Sequence, residues 1–326
     1  MSRRQHGWTF IEVMVSTAIL VLLLVLMAEA LNTTQHSWMT SRTAAGTQQN
    51  LDAANGIIGR QLQQATLQTR SGYDMNLNQI VPASDLHFVC GPAAELLPGL
   101  PGTCGDAVFF QRPAADTGSG LRQALQCCGF FVQYSGDEAW RPVFSNQIPV
   151  QRRFRLLQFH QTASEMTLFQ SSGVNGTPPK LAQLTSRTDL YEWFSQPIGG
   201  GSSSYPSHVS VVAENVVAMF LQTTPAAQRC YDTRRQQWEP GSVTAAQTRH
   251  RLPEMVEVTL VLTDEASWAR LNVEHADVLA GEVRSFIQGL SWLPDAMPQS
   301  LDALKQMMTA QGMSVRIAVF SVPMGD

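Results

Sequence analysis

The chain has 326 residues, of which 44% are hydrophobic and 15% charged. This is the composition of a globular protein, and the length is enough for one large domain or two small ones. The formal net charge of -4 excludes a strongly basic surface, so we expect no nucleic-acid partner.

The first element is an apolar segment near the N-terminus. Arg3, Arg4 and His6 precede it, and only two hydroxyl residues interrupt residues 13–28. Residues 8–28 match the roughly 20 residues that cross a bilayer core. Because positive residues flank the N-terminal side, we expect a single span with the N-terminus in the cytoplasm and the rest of the chain outside it.

Two other interpretations of this segment stay open. Met27 to Ala30 imitate a signal-peptide cleavage site, which would make the mature protein a secreted one. A simple N-terminal anchor explains the length and the arginines. Neither interpretation explains why an acid, Glu12, stands at the start of the apolar run.

The order of residues around this acid is more specific. A short basic leader ends at Gly7, an aromatic residue follows at Trp8, and Glu12 precedes the apolar run. This order is similar to the class III leader of type IV prepilins and of the pseudopilins of type II secretion. The resemblance implies that a prepilin peptidase cleaves between Gly7 and Trp8 and methylates the new amine. Trp8 replaces the usual phenylalanine but keeps an aromatic ring.

Cleavage before Trp8 would give Glu12 a partner. An ionisable group within a membrane span is costly and usually faces a partner. After cleavage the amine of Trp8 lies four residues away, and the carboxylate faces the positive end of the helix dipole. The resemblance implies that Glu12 contacts the amine of a neighbouring subunit during assembly. A tolerated interfacial charge is the alternative.

Helical periodicity continues beyond the span, with apolar residues at three- and four-residue spacing. They are Leu51, Ala54, Ile58, Leu62 and Ala65. We therefore predict one long, bent or broken helix from Trp8 to about Arg70, ended by Ser71-Gly72 and Pro82. The predicted parts are a leader at 1–7, a membrane segment at 8–28, a helical continuation at 29–70 and a globular domain at 83–326.

The globular domain is predicted to contain an antiparallel sheet followed by helices. Residues 153–160 are expected to form a half-buried strand in which Phe154 and Leu156 alternate with Arg153 and Arg155. The other predicted strands are 107–111, 129–134, 208–223 with a bend at Glu214-Asn215, and 255–262.

Helices are predicted after the last of these strands. Asp264-Glu265 is expected to begin one, Ser300 to cap another, and Gly312 to end it before a final strand from Val315. The mixed order of strands and helices indicates an α+β fold.

Several segments resemble a narrower group, the prepilin-like proteins called Verru_Chthon cassette protein C. These segments are RRFRLLQFHQ (152–161), VVAENVVAMF (211–220), MVEVTLVLTDEASWARL (255–271) and SVRIAVFSV (314–322). The resemblance implies a minor subunit that works in a set with other prepilin-like proteins, but it does not assign a biochemical activity. PilW-type minor pilins and pseudopilin J share the general layout and are the alternatives.

Motifs for catalysis and metal binding are missing from the sequence. There is no HExxH, no GxSxG and no cysteine–histidine spacing typical of a metal site. We therefore expect a non-enzymatic protein without cofactor or metal in the bacterial inner membrane, with its domain in the periplasm or incorporated into a filament. Its expected partners are a prepilin peptidase and other pilin-like subunits. The competing hypothesis is an envelope enzyme or binding protein that uses the apolar segment only as a tether.

The five cysteines point to disulfides in an oxidising compartment. Cys90 and Cys104 bracket a loop whose closure would contribute about 3 kcal/mol in the chain-entropy model. Cys127 and Cys128 are adjacent, and a bond between neighbours is strained. One of the two, with Cys128 as the candidate, is therefore expected to reach Cys230, and the fifth thiol stays free.

Overall fold

The computed structural model describes a defined set of residues within the chain. These are residues 10–74, 79–114, 125–141, 149–162, 165, 184–199, 205–224, 229–240, 242–290 and 294–325. The chain divides into two compact units, residues 1–48 and residues 49–326.

Helix α1 (Phe10–Gln63) has 54 residues, and the described part of the first unit consists only of this helix. Its first portion, Phe10–Gln35, is long and apolar enough to cross a membrane, and none of it is buried in the structure. At about 1.5 Å per residue it is roughly 39 Å long, more than a hydrocarbon core of about 30 Å. Leucine is the commonest residue in this portion, and it favours helices.

The helix ends at Gln63, before the predicted end near Arg70. The last turn closes with a bond from the Ala65 N–H to the Leu62 carbonyl. Thr66 then donates its N–H to the carbonyl of Gln111, so the backbone leaves the helix to join the sheet. Arg70 begins a strand instead.

The second unit contains the remaining elements. The strands are β1 (Arg70–Asp74), β2 (Gln79–Ala83), β3 (Val89–Pro92), β4 (Thr103–Pro113), β5 (Leu125–Ser135), β6 (Arg153–Thr162), β7 (Val209–Glu214), β8 (Val216–Thr224), β9 (Tyr231–Asp232), β10 (Met255–Thr263) and β11 (Val315–Pro323). The helices are α2 (Ala93–Leu96), α3 (Arg187–Ile198), α4 (Tyr205–His208), α5 (Arg235–Trp238), α6 (Val243–Thr248), α7 (Glu265–Ala269), α8 (Val273–Gly289) and α9 (Met297–Ala310).

Nine of the described strands form one sheet, and β1 and β2 form a separate hairpin. The order along the main sheet is β11-β10-β8-β4-β5-β6-β7, with β3 between β4 and β9. Its ladders are antiparallel except for a single parallel bridge between β4 and β8. The predicted α+β class with an antiparallel sheet and C-terminal helices is confirmed.

The parallel bridge is the point where the sheet divides. Strand β4 forms a bridge with β8 at Gly105, opposite Met219, and then pairs with β3 from Asp106 to Phe109. Gly105 has φ +72°, and a Cβ there would lie 2.4 Å from the Met219 carbonyl oxygen. Only glycine combines this backbone conformation with so close an approach.

Side chains on the two faces of β4, β5 and β6 enter different cores, because successive residues of a strand point to opposite faces. The larger core lies against the end of α1 and against α8 and α9, and contains Ile58, Leu62 and Phe130. The smaller core lies under α2 and α3 and includes Phe109 and Trp193. The predicted apolar repeat of α1 is thus buried from Ala54 onward, with Leu51 partly buried.

Both faces of β6 are buried, which contradicts the expectation that one face lies in solvent. Arg155 was expected on a solvent face, but it is only 1% exposed. Its guanidinium donates to the carbonyls of Ser135, Gly136 and Gln151 and forms an ion pair with Glu214 at 3.5 Å, so the buried charge has both backbone and carboxylate partners. The local alternation of arginine and apolar residues cannot reveal that a second layer covers the strand.

The structure shows where each of the predicted turns and helix caps of the domain lies. The bend expected in residues 208–223 is at Asn215, whose φ is +62° between β7 and β8. Asp264 caps α7 by accepting the Ser267 N–H, and Gly312 follows the end of α9 with φ +76°. Ser300 was expected to cap α9, but it lies inside that helix and is buried, because the helix begins at Met297.

Gly105→Ala should lower the free energy of unfolding by about 2 kcal/mol or more, because it combines a strained φ with a backbone clash. Gly56→Ala is the matched change, since nothing lies within 4 Å of a Cβ there and its helix would gain up to about 1 kcal/mol. Urea unfolding of the full-length chain in detergent, followed by tryptophan fluorescence, measures both. Equal stability of Gly105→Ala and wild type would contradict the role of the bridge.

Candidate functional site

The first candidate is the surface of the apolar portion of α1. Leu20, Leu23 and Leu26 are each more than half exposed, and none of the most apolar stretch of Phe10–Gln35 is buried. Its hydroxyl groups bond within the helix: Ser16 donates to the Glu12 carbonyl at 2.7 Å and Thr17 to the Met14 carbonyl at 3.0 Å. This leaves an apolar surface suited to lipid or to another helix.

The predicted processing and assembly residues belong to this end of the chain. Gly7 and Trp8 lie outside the described residues. Glu12 is exposed in the first turn of α1, where its charge faces the positive end of the helix dipole. Glu29 is a second exposed acid on the same helix, and it likewise accepts a hydroxyl bond at its carbonyl, from Thr33.

The cysteines do not form the expected disulfides. All five are free thiols, with Cys230 exposed and the others buried. Cys90 lies opposite Val108 on β4, whereas Cys104 is four positions before Val108, on the other side of the irregularity in the β4–β5 register. Cys128 is on β5, and β4 and β3 stand between it and the strand that follows Cys230, a separation of roughly 14 Å. A disulfide requires Cα atoms within about 7 Å.

A buried polar network surrounds Asp232, which is 5% exposed on β9. Its Oδ1 is 2.7 Å from Nε2 of His87 and accepts the N–H of Arg234. Its Oδ2 accepts from the Tyr191 hydroxyl at 2.9 Å and from Nε1 of Trp238 at 3.1 Å. The network joins β9 to the chain before β3, to α3 and to α5.

The arrangement of His87 is that of a structural residue. Trp193 donates its Nε1–H to Nδ1 of His87 at 3.3 Å, so Nδ1 is an acceptor and Nε2–H donates to Asp232. The ring is completely buried, and both nitrogens are engaged. Burial favours the protonated carboxyl of Asp232, but the interaction with His87 and the other hydrogen bonds outweigh it and lower the pKa of Asp232.

A cavity of about 200 Å³ opens beside this network. Arg187 lies over the rings of Tyr191 and Trp238, 5.3 and 5.1 Å from their centroids, and forms an ion pair with Glu95. Cys230 also lines the cavity. The cavity therefore combines stacked aromatic rings, a cation and the exposed thiol.

A second buried carboxylate, Asp106, follows Gly105 at the point where β4 contacts β8. Its side chain is fully buried, and its oxygens accept Nε of Arg229 at 2.6 Å and the N–H of Leu221 at 3.0 Å. Burial raises the pKa of Asp106 to about 6, and the Arg229 charge opposes that rise only in part. Arg229 and Arg284 line an adjacent cavity of about 240 Å³.

Sequence reasoning missed both carboxylates. The residues around Asp232 come from positions far apart in the chain, with no motif spacing to link them, and the tertiary fold alone brings them together. Among the described residues, no group of three histidine, cysteine or acidic side chains is placed to hold a metal ion. The second unit thus contains two buried carboxylates with hydrogen-bond partners, each beside a small cavity.

Asp232→Asn should destabilise the protein by about 3 kcal/mol, because an amide NH2 would meet donors where a carboxylate oxygen accepts them. Tyr191→Phe removes one donor and should cost about 1 kcal/mol. Urea unfolding of the two variants provides the comparison. A cost for Asp232→Asn no larger than that for Tyr191→Phe would show that the network does not act as described.

Asp106 should make stability depend on pH. Its pKa rises from 3.8 in the unfolded chain to about 6 in the folded one, so the stabilisation from its protonation is complete below 3.8 and is lost as pH rises through 6. Between pH 7.5 and 5, wild type should gain about 1 kcal/mol relative to Asp106→Asn. Unfolding titrations at both pH values measure this difference, and parallel pH profiles of the two proteins would contradict it.

No protein-family model matches the chain, and comparisons with curated proteins and with solved structures found no significant match. The fold and the candidate sites therefore stand on this chain's own residues, as does the resemblance of its leader to those of prepilins.

Proposed function

We propose that this chain is a minor pilin- or pseudopilin-like subunit. A prepilin peptidase removes residues 1–7 by cleaving between Gly7 and Trp8, and methylates the new amine. Residues 8–28 then hold the subunit in the bacterial inner membrane, with its globular part in the periplasm. The subunit acts without catalysis, by entering a type IV pilus- or type II secretion-like filament or standing at its tip.

The observation that carries the proposal is the apolar portion of α1. It is a continuous helix, exposed along Phe10–Gln35, with a single acid in its first turn. A tether needs only length and apolar residues, and gains nothing from a carboxylate at the lipid boundary. A helix that packs beside identical or related helices can use that carboxylate to fix their axial register.

The chemistry of the cleaved leader supports the same role. Cleavage before Trp8 would place a positive amine one helical turn from Glu12, on the same subunit or its neighbour. Opposite charges in a low-dielectric environment attract strongly when they are in contact. This pairing would favour assembly of processed subunits over unprocessed ones.

The second part of α1 supports an adapter architecture. Ala54, Ile58 and Leu62 are completely buried in the core of the α+β domain. One helix therefore carries both an exposed apolar surface and an anchor into a folded domain. Such a subunit can present its domain to periplasmic partners while its N-terminal portion is held by other helices.

Glu12→Gln should leave processing intact and reduce co-purification with pilin-like subunits about tenfold, the effect of losing roughly 1.4 kcal/mol of pairing. Glu29→Gln removes the same charge from the same helix and should leave co-purification unchanged. The measurement is quantitative pull-down from membranes that co-express a prepilin peptidase and the pilin-like chains of the host. Equal recovery of Glu12→Gln and wild type would refute the assembly role.

Intact-mass analysis of the same preparations tests processing directly. The mature protein should begin at methylated Trp8, and Gly7→Ala should retain its leader. A wild-type chain that keeps its leader in the presence of the peptidase would favour the tether hypothesis. A start at Leu31 would indicate a cleaved signal peptide and a secreted protein.

A further inference from the structure

A cavity of about 240 Å³ lies between α8, α2 and the first residues of β4. Helix α8 contributes Arg284, Ile287 and Gln288, which share one face of the helix because they are three and four positions apart. Strand β4 contributes residues 103–105, and Arg229 also lines the cavity. All of these residues belong to the second unit, so the cavity is formed within one compact body.

Arg284 is the lining residue whose hydrogen bonding is incomplete. Its Nε is buried and, within the described part of the chain, has no hydrogen-bond partner. The neighbouring Cys104 supplies no negative charge, because burial raises the pKa of its thiol to about 12 and the Arg284 charge opposes that rise only in part. A buried donor without an acceptor is costly, so an acceptor that enters from outside the chain would be held here.

Arg229 brings a second guanidinium to the cavity. Its Nε donates to Asp106 at 2.6 Å, and the terminal nitrogens are the remaining donors of that side chain. The Thr103 hydroxyl and the Gln288 amide are neutral groups of the same lining, and each has a donor. The lining therefore carries four side chains with N–H or O–H groups, two of them positively charged.

The charges around the cavity balance except for that of Arg284. Arg229 forms an ion pair with Asp106 at 2.6 Å. Glu95, the one acid among the described lining residues, forms an ion pair with Arg187 at 3.0 Å. One positive charge is left, which matches a ligand with one negative charge. A dianion such as phosphate would bring a second negative charge near Glu95, where partial burial weakens the screening by water.

We propose that this cavity binds a carboxylate group, with its two oxygens facing the guanidinium of Arg284. A carboxylate is a planar monoanion, and its oxygens match the parallel N–H groups of an arginine. The group can belong to a small free acid or to another protein chain, since the recognised chemistry is the same. The proposal depends on contacts within the second unit and holds whether or not the chain enters a filament.

Three probes that share a trifluoromethyl group test the charge requirement. Trifluoroacetate is a monoanionic carboxylate, trifluoroacetamide is its neutral counterpart, and trifluoromethylphosphonate is a dianion. They are titrated with the purified full-length chain in an uncharged detergent at about pH 7.5, above the pKa of about 6 of Asp106, so that Arg229 stays paired. Broadening of the fluorine NMR line measures binding, with detergent alone as the blank.

Trifluoroacetate should bind about tenfold more tightly than either other probe, as expected for a charge-assisted pair with a single arginine. Equal binding of trifluoroacetate and trifluoroacetamide would overturn the proposal, and so would tighter binding of the phosphonate. Because these comparisons use the wild-type chain, they do not depend on how well any variant folds.

Variants then assign the binding to Arg284. Arg284→Gln should weaken trifluoroacetate binding about tenfold. Arg316→Gln is the matched change, since Arg316 is exposed on β11 and outside the cavity lining, and it should leave binding unchanged. Glu95→Gln should strengthen phosphonate binding, because it removes the negative charge from the lining. Undiminished binding by folded Arg284→Gln would contradict the assignment.

Competition distinguishes the two sources of the carboxylate. N-acetyl-alanyl-alanine should displace trifluoroacetate, and the same peptide with a C-terminal amide should not. Displacement by the free peptide at lower concentration than by acetate assigns the site to a protein carboxylate, and the reverse order assigns it to a small acid; both results support carboxylate recognition. Equal displacement by the amidated and free peptides would refute it.

Discussion

The contact between Gly105 and Met219 determines how the sheet of this protein is assembled. Strand β4 meets β8 at Gly105 and then pairs with β3 for four residues, and only a residue without a side chain permits the approach to β8. Asp106, the next residue, stabilises the junction by accepting the Leu221 N–H and pairing with Arg229. Without this junction, the β8–β10–β11 half of the sheet would have no direct ladder contact with the β4–β5–β6 half.

Buried charge recurs at the same side of the molecule. Asp232 closes β9 against β3 through four donors, and Asp106 closes β4 against β8 through two. Each carboxylate is costly to bury, and each is held by hydrogen bonds from segments distant in sequence.

Helix α1 has an exposed apolar part and a buried part, and this difference is the physical basis of the functional proposal. Up to Gln35 the helix exposes its apolar residues, and from Ala54 it buries them in the domain core. A membrane or neighbouring helices could cover the apolar residues of the first part. The domain core covers the apolar residues of the second part.

Much of this organisation can be predicted from the sequence alone. The apolar span, the buried face of α1, the strands ending at Ser135, Thr224 and Thr263, and the cap at Asp264 follow from local periodicity and turn chemistry, and the structure agrees. Those signals involve neighbours within a few residues. They also suggested the leader motif at Gly7, Trp8 and Glu12, which remains a prediction because the cleavage site lies outside the described residues.

The tertiary structure alone decided the remaining features, because each depends on residues that local spacing cannot relate. Arg155 has the pattern of a surface residue, yet a second layer covers its strand. Spacing suggested Cys90–Cys104, whereas the strand register places Cys90 opposite Val108 and Tyr231. The sequence thus determined which segments are helical, extended or apolar, through interactions within a few residues. The pairing of distant strands determined which buried charges meet their partners, since that pairing buries the apolar faces of strands far apart in the sequence.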